Sequence, residues 1–115
     1  MAEKKRYQIV ITQPALERYR ERVLAYLADH FSLERAIEID DNIMGKAASL
    51  STNPLRGRRE EQLAGRPQEF RFILYKETRH FESKIVYYVS EEAASVYVTD
   101  FFPTAMQPQR LQGNQ

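Results

Sequence analysis

Apolar and polar positions repeat along this chain with two different periods, and the change from one to the other divides it in half. Tyr7-Gln8-Ile9-Val10-Ile11-Thr12 is rich in β-branched and aromatic residues and ends at Gln13-Pro14, which predicts a first strand. Pro14 suits the first turn of a helix, where its missing N–H costs nothing. From there Leu16, Tyr19, Val23, Leu27 and either Tyr26 or His30 recur at helical spacing. Glu17, Arg18, Arg20, Glu21 and Arg22 fill the opposite face, so the spacing predicts an amphipathic helix ending near Phe31. Ser32 is placed to cap a second helix, with Glu34 in its first turn favourable to the dipole. The second stripe is Ala36, Ile39, Ile43, Ala47 and Leu50. Gly45 and the alanines are expected to let the two helices approach closely, and Asn53-Pro54 stops the second. So short a connection makes the pair an antiparallel hairpin.

Residues 54–69 hold Pro54, Gly57, Gly65 and Pro67 among charges and read as a long loop. The period then becomes two. Phe70–Tyr75, Lys84–Val89 and Ser95–Phe101 are three strands joined by Glu77-Thr78-Arg79-His80 and Glu91-Glu92-Ala93-Ala94, connections short enough to favour antiparallel neighbours. Past Pro103 the chain turns polar, giving a domain over 1–103 and a tail over 104–115. The predicted class is α+β: an N-terminal strand, a two-helix antiparallel hairpin and a three-stranded antiparallel meander, with the helices on one face of a four-stranded sheet. The expected helical core is Leu16, Tyr19, Val23, Leu27, Ala36, Ile39, Ile43, Ala47 and Leu50, facing alternate residues of the strands.

Composition narrows the chemistry. At 115 residues, with 43% hydrophobic and 29% charged, the chain fits one soluble globular domain with a core of its own. It has no cysteine, hence no disulfide framework and no thiolate metal site. His30 and His80 are isolated in sequence, whereas a metal site needs three or four converging ligands, so no metal and no cofactor is expected. No apolar run approaches the roughly 20 residues of a membrane span. Tyr7–Ile11 is too short and too polar for a signal-peptide core, which leaves a cytoplasmic protein as the expectation. A net charge of +1 argues against nonspecific coating of nucleic acid. The charge is unevenly spread, however. Between Leu55 and His80, seven Lys or Arg (Arg56, Arg58, Arg59, Arg66, Arg71, Lys76, Arg79) face four Glu (Glu60, Glu61, Glu69, Glu77), so a local site for an acidic partner is open.

Five short features recur in order: Ala15-Leu16, Pro54-Leu55-Arg56-Gly57, Leu63-Ala64-Gly65, Arg71 within Phe70-Arg71-Phe72, and Ile85-Val86-Tyr87. With the element order, they resemble the RelE/ParE superfamily of type II toxin–antitoxin systems over about residues 7–102. The resemblance implies a growth-inhibiting toxin of plasmid-stabilisation type, neutralised by a cognate antitoxin that wraps it. RelE-like members cut messenger RNA on the ribosome, and ParE-like members poison DNA gyrase. A non-toxic interaction module of the same fold is the third reading.

The resemblance also assigns residues. Arg71 matches the family's strand-opening basic residue, and its planar guanidinium suits a phosphorane-like transition state. The plainer role for Arg71 is pairing with Glu69 or Glu61 on an exposed sheet face. Lys84 stands where the nucleases carry an arginine, a point charge in place of a fork. These two are the candidate catalytic residues. Arg56, Arg58, Arg59 and Arg79 are candidates for contact with target or nucleic acid, although Glu60 and Glu61 can neutralise the loop. Phe101 and Phe102 are candidates for antitoxin binding, one of them necessarily facing away from the core. Tyr87 is expected in the core, with Tyr88 opposite it beside Arg71. The pattern also has gaps. Ile73 and Phe102-Pro103 occupy places where the nucleases have further basic groups, so the expected action is binding, with ribosome-dependent RNA cleavage as the alternative.

Overall fold

The computed structural model describes residues 5–78 and 81–106. Arg79, His80 and the polar segment 107–115 lie outside the described residues. Strand β1 (Gln8–Ile11) leads into a first helix over 13–30, whose N-terminus is capped by Thr12 Oγ1 accepting from Ala15 N at 3.4 Å. This helix is α1 (Gln13–Arg18), a π-helical stretch (Tyr19–Leu24) and α2 (Ala25–His30) in succession. Its buried residues, Ala15, Tyr19, Val23 and Leu27, are spaced by four throughout. Each step of four overshoots an α-helical turn of 3.6 residues and undershoots the wider i→i+5 turn. The π stretch therefore keeps the stripe on one face. It also corrects the expected stripe: Ala15 is buried and Leu16 only half-buried.

Phe31 is extended, and Ser32 caps α3 (Leu33–Ala48) by accepting from Arg35 N at 3.1 Å. Ile39, Ile43, Ala47 and Leu50 are fully buried, while Ala36 is half-buried. Gly45 contradicts its expected role, because a Cβ there would meet nothing within 4 Å. The helices are tied instead by side chains: the buried Tyr19 hydroxyl donates to the Asp40 carboxylate.

Residues 54–69 are not a featureless loop. Two short 3₁₀ turns, Pro54–Arg56 and Glu61–Leu63, flank a two-residue strand β2 (Arg58–Arg59). Strands β3 (Arg71–Thr78), β4 (Phe81–Ser90) and β5 (Ser95–Met106) form the antiparallel meander. The sheet has five strands in the order β1-β5-β4-β3-β2, not four, with β1 parallel to β5 from Gln8↔Ser95 to Ile11↔Val98. β5 continues through Pro103 to Met106. Among the described residues it has no partner on the β1 side beyond Val98, so the missing N–H of Pro103 interrupts no ladder there.

One face of the sheet meets the helices. Ile73 and Tyr75 of β3, Phe81, Ile85 and Tyr87 of β4, and Val96, Val98 and Phe101 of β5 form one cluster with the helical stripes. Phe101 packs on Tyr19 with ring centroids 4.7 Å apart. At the sheet's edge, Arg18 crosses from the first helix to Asp100 (2.8 Å) and the Thr99 carbonyl (2.7 Å).

Candidate functional site

The loop between α3 and β3 is fixed from beneath by one tyrosine. Tyr87 is fully buried, and its hydroxyl donates to the Pro54 carbonyl at 2.6 Å while accepting from Gly57 N at 3.0 Å. A Cβ on Gly57 would lie 2.5 Å from that oxygen and 2.7 Å from the Phe72 carbonyl. Glycine is required there by space, since its φ of −74° is open to any residue. The Pro-x-x-Gly feature thus has a physical meaning: both of its ends bind Tyr87. Burial, the largest influence, raises the phenol's pKa above its ordinary value, which keeps it a donor.

Arg71 belongs to the same assembly. Its guanidinium donates to the Gly57 carbonyl at 2.8 Å and to Glu69 Oε2 at 2.8 Å. Arg59 shares Glu69 at 3.0 Å, across the Arg59↔Arg71 rung of β2 and β3. Arg71 therefore acts as a clamp on the loop. Its strand partner is Tyr87, so it takes the helix-bearing face and not the face of Tyr88 as the expected register had it, although both residues line a cleft at the end of these strands. Arg56 is likewise engaged, with Ser49 Oγ at 2.6 Å and Ser49 O at 3.3 Å.

The open face of the sheet carries a different set. Lys84 pairs in register with Leu74, facing away from Arg71. Its ammonium donates to Glu60 Oε1 at 2.7 Å and lies 4.2 Å from the Phe72 ring centre. This hydrogen bond is the main reason that the Glu60 carboxyl sits below its ordinary value. An open cleft of about 400 Å³ lies here, with Phe70, Val86 and Phe102 contributing its apolar walls and the Lys84–Glu60 and Arg18–Asp100 pairs its polar ones. Next to it, Phe70 meets Tyr88 edge-on at 5.5 Å, and Tyr88 stacks on Tyr97 at 5.1 Å. The arrangement offers flat aromatic surface bordered by two ion pairs and by Arg66, which forms no ion pair among the described residues, and it suits binding of an extended surface.

The candidate residues thus divide. Arg71 and Arg59 are brought together, but on a carboxylate; Lys84 lies on the other face; Arg58 is exposed. Arg79 is outside the described residues. Phe102 is 47% exposed on the cleft, whereas Phe101 is fully buried against Tyr19 and offers nothing to a partner. Arg18 and Asp100 line the cleft without having been singled out in the sequence, and Glu60, expected to neutralise its own loop, pairs with Lys84 instead; these partners lie 82 and 24 positions apart. Among the described residues no three His, Asp or Glu converge to hold a metal, and no helix is long and apolar enough to cross a membrane.

Comparisons with protein-family models, with curated proteins and with solved structures return no match to this chain.

Proposed function

We propose that this chain is a toxin of a type II toxin–antitoxin pair, of the RelE/ParE kind, that inhibits growth by binding a cytoplasmic macromolecular target such as DNA gyrase and is neutralised by a cognate antitoxin. The reading is supported by the order strand, two helices and antiparallel meander, together with the five ordered sequence features that resemble that superfamily. One observation favours binding over RNA cleavage. Arg71 and Lys84, the only candidates for a catalytic pair, lie on opposite faces of the sheet and each is already engaged by a carboxylate. Cleavage through the 2′-OH needs charge-stabilising and proton-transferring groups gathered around one phosphate. A binding toxin needs no such gathering, only a presented surface, and the aromatic cleft around Phe102 supplies one.

The test is inducible expression in a bacterium with DNA synthesis and translation followed separately by pulse labelling. DNA synthesis that falls first, while translation continues, supports the proposal. An immediate fall in translation supports a ribosome-dependent endoribonuclease, and unaffected growth supports a non-toxic interaction module; either result overturns the proposal.

A further inference from the structure

We propose that the outer edge of β3 is a docking site for an extended acidic peptide segment, which adds to the sheet as a further strand. The ladder on this edge is incomplete. β3 runs Arg71–Thr78, but β2 pairs with it only at Arg58↔Phe72 and Arg59↔Arg71. On its other side β3 is paired with β4 as far as Thr78. Glu60 N donates to the Phe70 carbonyl at 2.9 Å, so the backbone groups of Phe70 point to the outer side. Backbone hydrogen-bonding groups alternate along a strand, so those of Phe72, Leu74 and Lys76 point there too. Phe72 meets β2, while among the described residues no backbone hydrogen bond reaches the outer side of Leu74 or Lys76. The edge is accessible: Leu74 is 42% exposed, and Lys76 is exposed.

Charge decides what would occupy it. A shallow cleft of about 260 Å³ runs along this edge, between the end of α3 and β3, lined by Lys46, Arg56, Arg58, Phe72 and Leu74 among others. Lys76 follows on the open edge itself. None of Lys46, Arg56, Arg58 and Lys76 forms an ion pair among the described residues, whereas the flanking carboxylates Glu38 and Glu77 are both held by Arg35. Four cations without an ion pair among the described residues thus border the open strand edge, although Arg56 is held by Ser49 and Lys76 stands across the ladder from Glu82, which accepts from Thr104. A second copy of this chain, pairing edge to edge, would bring like charges together, which is how edge lysines ordinarily prevent self-association. An acidic strand meets the reverse situation. Its backbone completes the ladder at Leu74 and Lys76; because those two residues share the open face, an apolar side chain covers Leu74 and a carboxylate two positions away on the same face meets Lys76, while carboxylates on the other face reach toward Lys46 of α3. The inference does not rest on the toxin reading, since the edge is open whatever the domain does to a cell.

The test uses a fluorescent octapeptide of the repeat Glu-Glu-Val-Val, which puts both residue types on each face of a strand, a counterpart with lysine in place of glutamate, and the first peptide N-methylated at alternate residues. Saturable binding of the first is expected, weakened by salt and about tenfold or more weaker for both counterparts. The Lys46→Glu/Arg58→Glu double variant should lose affinity by a similar factor. In the unaltered protein, amide exchange at Leu74 and Lys76 should slow when the peptide is present, a readout that does not depend on how the variant folds. No saturable binding, equal binding of the N-methylated peptide, or unchanged exchange at both amides would each overturn the proposal. So would a dimer in sedimentation whose formation protects those same amides, because a second copy would then be the occupant.

Discussion

The hydroxyl of Tyr87 holds the Pro54 carbonyl and the Gly57 N–H in the interior, so removing that single oxygen leaves two buried backbone groups without a partner. Tyr87→Phe keeps the ring and its packing, and should cost about 1–3 kcal/mol in urea-induced unfolding. The two glycines of this region make a paired test. Gly57→Ala forces a Cβ to 2.5 Å from Tyr87 Oη and must destabilise, whereas Gly45→Ala meets nothing and should stabilise by up to about 1 kcal/mol from helix propensity. The sequence showed Pro54 and Gly57 as a motif and Tyr87 as a core residue, but not that they belong together. The contact spans 30 positions, and no local pattern encodes it. The same holds for Glu60 and Lys84. That carboxyl is lowered below its ordinary value of 4.5 in the folded state, so the unfolded chain binds the proton more readily. The pair's contribution is therefore fully present above the ordinary value and is lost as pH falls through the lowered one. Unfolding midpoints of the unaltered protein and Glu60→Gln should differ at pH 7 and converge on acidification; a gap that does not change with pH would mean that the carboxylate's charge stabilises nothing.

Helices and strands differ in how far their periods reveal them. α3 was legible almost residue by residue, because Ile39, Ile43, Ala47 and Leu50 repeat at helical spacing and all four are buried. Ile43→Ala should cost about 2–5 kcal/mol at such a filled site, and a loss under about 1 kcal/mol would contradict its place in the core. The first helix was legible as an element but not in its winding. Its run of fours holds one face because the π stretch Tyr19–Leu24 absorbs the drift, and Ala15, four positions before Tyr19, is inside where Leu16 was expected. β2 could not be seen at all, since two arginines have no period. The parallel pairing of β1 with β5 was equally hidden, because register between segments so distant is set by packing rather than by neighbours in sequence.

At the scale of the whole molecule, the fold separates two groups of charge that the sequence ran together. Arg59 and Arg71 stay with Glu69 and lock the loop onto Tyr87's face; Lys84, Glu60, Arg18 and Asp100 border the cleft on the other side. Which strand face each residue takes follows from register, and register is where the sequence reading of Arg71 and Tyr88 failed. The consequence for function is specific, because two cations on opposite faces cannot close on one phosphate. Incubation of the purified protein with programmed ribosomes, followed by mapping of message ends, tests this most directly. Intact message is expected for the unaltered protein, with growth arrest in cells that persists in Arg71→Ala once that variant is shown to be folded. Site-specific cleavage that disappears in the folded Arg71→Ala variant would contradict it.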